Sequence, residues 1–515
     1  MKKISSFLIC LLTVSAALTS CSLEEDTRGH IIENETYTSR EALFLNTVAT
    51  LYNYIGGRDE GQGLQGAIRG VYDLQTFGSD EAMIPLRGVD WFDGDLWQTM
   101  YKHSWNAGHE LPKNAWIYLY KVITLCNHSL QTLKANKELA GDDYFTWQAE
   151  VRALRAMYYW YLLDLFGDVP LVIDYSISMN DVKRESSNSV FIFCENELRS
   201  VVHQLPDDNS AWEGDYYGRM TQSVAFFVLA KLMLGAEVYT GEARWEECID
   251  YCEEIKGRGY SLAPMYSSNF FVYNQNSPEN IFTIPMNKNL YLNQQQNIVR
   301  SIHYRHAAAW GYNGENGSCA TLQTLKVYGW PDHTDQRFYD NFHAGKVVGP
   351  NGVVTDRTGA PLVYEPDKVQ LDLSGSPYVE TAGARMYKYE FDKNSTKGGY
   401  LVDNDIVLFR YADVLLMLAE CKLRLGRGGQ DEFNLVRNRV NAPERTLTLD
   451  NLLDERLMEL CWEGWRRSDL IRFHRYKSLY DGPDAVDESD GHTTVFPIPA
   501  DVIALNNKLK QNPGY

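Results

Sequence analysis

The sequence predicts a mostly α-helical fold: a tetratricopeptide-like scaffold of helix pairs (an α-α superhelix) carrying long loop-rich insertions and a few short strands. Three observations predict it. Apolar residues recur at helical spacing through several long stretches. These stretches come in pairs joined by a Gly-bearing turn, and no such unit can bury its apolar face alone, so units must stack. Between the pairs lie long stretches that are polar and aromatic rather than apolar. The 515 residues would fill about three ordinary domains or one large solenoid, and 44% hydrophobic against 23% charged residues gives ample material for a core.

The elements follow in chain order. Lys2 and Lys3 precede an apolar run over residues 4–18 that is too short and too polar to span a membrane but suits a bacterial export signal. It ends Leu18-Thr19-Ser20-Cys21, the pattern of a lipobox, so residues 1–20 are expected to be a lipoprotein signal peptide and Cys21 the lipid-modified first mature residue. Losing Lys2 and Lys3 and no acids takes the net charge from −19 to −21. Helical spacing then marks residues 116–130 and 151–166, the second closed by Gly167 and Pro170. Residues 223–240 stop at Gly241 and are followed by a partner helix over 245–255; residues 406–425 stop at Gly426 and are followed by 432–440. The alternating run 280–284 reads as a strand. Loops over 56–110, 267–316 and 345–397 are longer than compact domains usually carry, and loops of that length tend to be functional.

Composition excludes some functions. With 68 acids against 49 Lys and Arg, and no basic block after residue 3, neither nucleic acid nor an anionic membrane surface is expected as the main partner. Aromatics are abundant, with 12 Trp, 33 Tyr and 20 Phe; most suit a packed core, and the surplus suits wet, stacking-rich binding surfaces. Cys248 and Cys252 lie one helical turn apart without a nearby second Cys/His pair, so they read as core. The G-x-G-x-x-G of residues 61–66 follows a helical pattern and a polar segment rather than a strand, so it is a turn-rich loop and no dinucleotide site. His303 and His306 read as a hydrogen-bonded pair. No cofactor or metal is expected; the Asp/Asn-rich loops leave Ca²⁺ open, but none has ordered ligand spacing.

Asp80, Glu81, Asp90, Asp93 and Asp95 crowd residues 78–97, interleaved with Arg87, Trp91, Phe92 and Trp97. Paired carboxylates beside aromatic platforms serve a glycosidase. The same residues serve plain sugar binding, in which aromatic faces stack on ring CH groups while Asp, Asn and Arg fork onto hydroxyls. At this level the two readings are even. A second aromatic loop, residues 304–312, carries Trp310 and Tyr312 beside Asn313 and Asn316. The dense Arg/acid run from Glu455 to Arg472 reads as ion pairs holding helices together rather than as a catalytic cluster.

That last run, with Glu455-Arg456, Glu459-Leu460, Glu463-Gly464 and Asp469-Leu470-Ile471-Arg472, resembles the "E-R…E-L…E-G-x-R…D-L-x-R" signature of the RagB/SusD family. Further segments resemble the family in the expected order: 150–159 with 165–170, 410–420 with 436–439, and the ending 496–499 with 511–515. The Leu-Asp…Pro segment expected after the lipid Cys is Leu23-Glu24-Glu25-Asp26 here, without the Pro; acids in that position resemble the surface-export signal of Bacteroidetes lipoproteins. The resemblance implies a single SusD-like domain over 21–515, with a binding loop at about 56–110 in its helix-pair portion and a loop-rich portion over about 260–515. It implies a lipid-anchored protein on the exterior of the outer membrane that binds glycans without cleaving them and acts as lid and partner of a SusC-like TonB-dependent transporter. It tips the even choice towards binding. By the same analogy the expected ligand contacts are Asp80, Arg87, Asp90, Trp91, Asp93 and Trp97 from the first loop and Trp310, Tyr312 and Asn313 from the second, and no catalytic residue is expected. The alternatives are a peptide-binding lid of a related transporter and a lipid-anchored glycoside hydrolase.

Overall fold

The computed structural model describes residues 37–515 apart from 58, 179–180, 208–213 and 333–334. The expected signal segment and Cys21 lie outside the described residues.

The scaffold begins with α1 (Glu110–Ala135), whose His109 side chain accepts from the Leu111 N–H and whose Leu111, Ala115, Leu119, Val122 and Cys126 form a buried stripe. It packs on α2 (Tyr144–Phe166), which is buried on almost every side from Val151 onward and ends at Gly167 with φ 68°. The next helix, α3 (Ser187–Val201), is capped by Ser186. Its Val190, Phe191, Cys194, Leu198 and Val201 form a buried stripe at helical spacing, in a helix that the sequence analysis does not include. Then come α4 (Gln222–Leu234), capped by Thr221, and α5 (Trp245–Lys256). The predicted helix over 223–240 breaks at Gly235, where a Cβ would sit 2.5 Å from the Tyr239 ring, and resumes as Ala236–Thr240 before Gly241. The last group is α6 (Tyr411–Arg424), α7 (Gln430–Arg439), α8 (Leu449–Leu460) and α9 (Arg466–Arg472). Each of α1 to α6 packs on the next, and α6 also holds α7 and α8, so the core grows by stacking along the chain.

One expectation is corrected. Residues 406–410 are not the first turn of α6 but a strand, β2 (Ile406–Arg410), antiparallel to β1 (Asn280–Ile284), with Ile406 opposite Ile284 and Arg410 opposite Asn280. All five residues of each strand are buried, so no alternation marks them, and an apolar run of this length reads equally as helix or strand. The remaining sheet consists of two-residue pairings that pin loops together.

The Arg/acid run of α8 and α9 becomes a buried ionic network. Glu459 takes bonds from Arg337 (2.8 Å), Arg410 (2.6 Å) and Arg439; Glu455 takes Arg337 (2.7 Å) and Arg437 (2.5 Å). Glu463 takes Arg410 (2.8 Å) and Lys388 (2.6 Å), and Arg456 bridges Asp413 and Asp469 at 2.9 Å each. These charges tie α6, α8 and α9 to the loop-rich half and to β2, and each is satisfied by partners of opposite sign, as burial requires.

The stretch 56–110 is not a single open loop. It contains the short helices Val71–Thr76 and Leu96–Lys102, and most of residues 63–85 are buried. Its longest exposed run among the described residues lies between Gly88 and Asp95, and this segment forms one wall of the site.

Candidate functional site

Residues 87–95 form a tight projecting turn. The Arg87 and Asp90 backbones bond each other at 3.0 and 3.2 Å, and Gly88 and Gly94 take φ of 71°. Trp91, Asp93 and Asp95 also hold positive φ (66°, 43° and 70°). Non-glycine residues in this region store strain, and its clustering in one short turn marks a segment whose shape is held by its surroundings. Trp91 is fixed at its edge: its Nε1 donates to the Glu315 carbonyl at 3.1 Å, and its ring lies over Gly317, where a Cβ would approach within 2.4 Å. Its ring meets that of Trp97 edge-on at 6.2 Å between centroids, and the residue as a whole is half-buried.

Opposite this turn lies an open cleft of about 410 Å³, lined by Glu60, Ile68, Arg69, Asp90, Trp91, Asp93, Gln296, Tyr304, Gly314, Glu315 and Tyr400. Arg69 is its hub, bonding Asp93 (3.0 Å), Glu110 (3.1 Å) and Glu60 (3.3 Å). Tyr304 donates its hydroxyl to Asp90 at 3.2 Å, and the Tyr400 hydroxyl bonds the Glu315 carboxylate. Burial pushes the Glu315 carboxyl up, against that hydroxyl bond and Arg300. Hydroxyls, carboxylates and a guanidinium thus surround one fixed indole face, the lining that orients a polyhydroxylated ring.

The expected contact residues divide. Asp90, Trp91 and Asp93 line the cleft. Asp80, Arg87, Trp97 and Tyr312 do not, and they are corrected here. Asp80 is buried against Arg466 at 2.6 and 2.8 Å. Arg87 spends its guanidinium on the carbonyls of Gly317, Val379 and Ala382, and burial together with the nearby Arg385 lowers its pKa. Trp97, 1% exposed, lies beneath the site between Arg69 and Arg300 and donates Nε1 to Asp93 at 2.9 Å, so it supports the hub from below rather than lining the cleft. Tyr312 is buried, and its hydroxyl is spent on the Asp392 backbone. Trp310 stacks on Phe391 (5.0 Å between centroids), and exposed Asn313 packs on Gly398; neither lines the cleft. The second loop does reach the cleft, but through Tyr304 and Glu315.

Sequence reasoning missed Arg69, Glu60, Glu315 and Tyr400. Tyr304 stood at the start of a loop that composition had already marked, whereas Arg69 had no local signal. The histidines are structural. His306 bonds the Tyr364 hydroxyl at 3.0 Å, and burial pushes its pKa down to about 3; His303 faces Glu380 at 3.2 Å.

The SusD family matches residues 278–515, and a second family, described as starch-binding and associating with the outer membrane, matches residues 87–234. The chain belongs to the SusD/RagB family. The starch-binding protein SusD of Bacteroides thetaiotaomicron is 25% identical, with 90% of this chain and 88% of that protein covered. A laminarin-binding SusD-like protein of solved structure superposes with a TM-score of 0.72 at 21% identity, covering 93% of this chain and all of that one. Surface glycan-binding protein A of Bacteroides thetaiotaomicron, solved with laminarihexaose, gives 0.70 at 20% identity, covering 92% of this chain and all of that one. Both SusD-family matches begin after the first helices, so the turn at 87–95 opens the region shared with the outer-membrane family.

Proposed function

We propose that this protein is a glycan-binding surface lipoprotein. It captures oligosaccharide in the cleft of Trp91, Arg69, Asp90, Asp93, Tyr304 and Tyr400 and, as lid and partner, hands it to a SusC-like TonB-dependent transporter of the outer membrane. The observation that carries the reading is the open cleft, in which a half-buried indole, fixed by the Glu315 carbonyl, is ringed by hydroxyl and carboxylate groups. The family match and the saccharide-binding relatives support it. The Cys21 anchor and exterior location belong to the same proposal.

In this reading a sugar ring stacks on Trp91 through its CH face. The Tyr304 and Tyr400 hydroxyls, whose hydrogens go to Asp90 and Glu315, accept from its hydroxyls, and Arg69 supplies N–H donors that are only partly spent on its three carboxylates. Handover requires release, so a Kd of ~1 mM to ~1 μM, worth about −4 to −8 kcal/mol, is sufficient. The cleft acids are engaged with neighbours: Asp93 is held by Arg69 and by the Trp97 N–H, and Asp90 accepts from Tyr304. Glu315, whose carboxyl burial pushes up, is the group a hydrolase would use as acid, so sugar release is the measurement that separates hydrolysis from binding.

Affinity electrophoresis of the chain from residue 22 against a polysaccharide panel that includes starch and laminarin, with reducing-sugar release measured in parallel, tests the reading. Retardation by one glycan class without sugar release is expected. Sugar release would make the protein a hydrolase. Retention by no glycan, with oligopeptide binding instead, would make it a peptide-binding lid.

A further inference from the structure

A second cleft, of about 340 Å³, opens beside the first and is lined by Phe44, Ala49, Tyr52, Asn53, Asp215, Tyr217, Gly218, Arg219, Pro285, Tyr291 and Asn293. Its floor is rigid. The Arg219 guanidinium lies between the Phe44 and Tyr216 rings, 5.0 and 4.5 Å from their centroids, and is paired with the fully buried Glu150 at 2.5 Å. Tyr52 is fixed in the same way, donating to Glu150 at 2.7 Å and accepting from the Met220 N–H at 2.9 Å. The groups that face outward are uncommitted. Tyr291 is 45% exposed, and the side-chain amides of Asn53 and Asn293 have no hydrogen-bond partner among the described residues. Stacking surface plus free amides on a fixed floor is again the lining of a sugar site. Glu150 neutralises Arg219, which leaves the exposed Asp215 carboxylate as the charge of the lining and disfavours an anionic ligand.

The two clefts share a wall. Asn293 lines the second and Gln296 the first, three residues apart, so at most about 11 Å of chain separates them. That wall is pinned: the N–H groups of Gln294 and Gln296 donate to the carbonyls of Gly57 and Gly66 at 3.1 and 2.9 Å, and Gln296 Oε1 accepts from the Ile68 N–H at 2.9 Å. A Cβ on Gly66 would sit 2.4 Å from the Gln294 carbonyl oxygen, so glycine lets the wall approach this closely.

We propose that the second cleft is an additional subsite for an uncharged sugar, centred on Tyr291, Asn53 and Asn293, which engages a further part of the glycan chain held at Trp91. The inference rests on the binding reading above. A ligand that reaches both clefts gains the second contact as an intramolecular event, so affinity rises with chain length.

The test measures retention by the polysaccharide panel, and calorimetric affinity for short and long oligosaccharides of whichever glycan is retained, for wild type, Tyr291→Ala, Asn53→Ala and Trp91→Ala. Tyr291 and Asn53 are exposed, and thermal melting confirms that the variants fold. Tyr291→Ala and Asn53→Ala are expected to weaken polysaccharide and long-chain binding about three- to ten-fold while leaving the disaccharide within about two-fold; Trp91→Ala is expected to weaken all lengths. Wild-type binding that neither Tyr291→Ala nor Asn53→Ala alters at any length overturns the second subsite alone. A wild type retained by no glycan overturns the parent reading and this one together.

Discussion

Arg410 and Arg69 each meet three carboxylates. In the interior, Arg410 bonds Glu459 (2.6 Å), Glu463 (2.8 Å) and Glu279 (3.1 Å), and its side chain is 1% exposed. At the cleft, Arg69 bonds Asp93, Glu110 and Glu60 at 3.0 to 3.3 Å, with 22% of its side chain and more of its partners open to water. The chemistry is the same but the surroundings differ, and the surroundings decide the role. Buried charges must be matched, because an unmatched one has no solvent to turn to. Wet charges are screened and hold their partners weakly, so they can exchange them for ligand hydroxyls. A dense Arg/acid cluster in this fold is therefore structural where it is dry and available for binding where it is wet.

The largest effect that would break this contrast lies in the dry region. Glu459→Ala leaves Arg337, Arg410 and Arg439 short of their common partner and should cost about 3–5 kcal/mol in urea unfolding, with glycan affinity of the folded fraction unchanged. A loss below about 1 kcal/mol would show that the network relaxes or hydrates as the cleft does.

Next comes Glu81, buried beside the network and accepting from the Trp462 N–H at 2.8 Å. Burial raises its carboxyl pKa to about 8, against that N–H and the charges of Lys388 and Arg466. A folded-state value above the unfolded one means its contribution is fully present below the usual carboxylate range and is lost as pH rises towards 8. Glu459 runs the other way. Burial alone would raise it, but Arg439, Arg410 and Arg337 hold it well below the usual range, so its contribution stands at neutral pH and is lost as pH falls below about 4. Glu81→Gln should therefore be the more stable protein at pH 8, by on the order of 1–3 kcal/mol, and lose that advantage near pH 5. Melting curves at the two pH values measure it, and a pH-independent difference would contradict the assignment.

At the wet cleft the effects move from stability to affinity. Trp91→Ala should weaken glycan binding by about 1–2 kcal/mol, roughly five- to thirty-fold, in affinity electrophoresis. The smallest expected effect is that of Trp310→Ala: Trp310 stacks on Phe391 outside both clefts, so glycan affinity should stay within about two-fold even if melting temperature falls. A binding loss equal to that of Trp91→Ala would return the second aromatic loop to the site.

Much of this was legible before any coordinates. Helical spacing and Gly stops located α5, α7 and the end of α2 within about two residues and the middle of α1, because amphipathic stripes and helix ends are local properties; they cut both ends of α1 and the start of α2 short by five to seven residues. They failed at Ile406–Arg410, where burial on both faces erased the periodicity; α3, with its apolar stripe and Ser186 cap, carried the same local signals and was left out. For the site, composition marked the stretch 78–97 and the family resemblance supplied the nominations, of which Asp90, Trp91 and Asp93 line the cleft, but neither could tell one nearby Asp or Trp from another. Asp80 and Trp97, about four to thirteen residues from these in the same stretch, are enclosed by Arg466 and by Arg69 with Arg300, residues that only folding brings near.

The sequence by itself determined the stacked helix-pair scaffold, the family and the turn that carries the indole, since each rests on patterns of neighbouring residues. Only the tertiary structure decided which charges are dry and which wet. That property depends on enclosure by partners such as Glu315, Tyr400, Arg466 and Glu150, which lie tens to hundreds of residues away and carry no local mark of what they will cover.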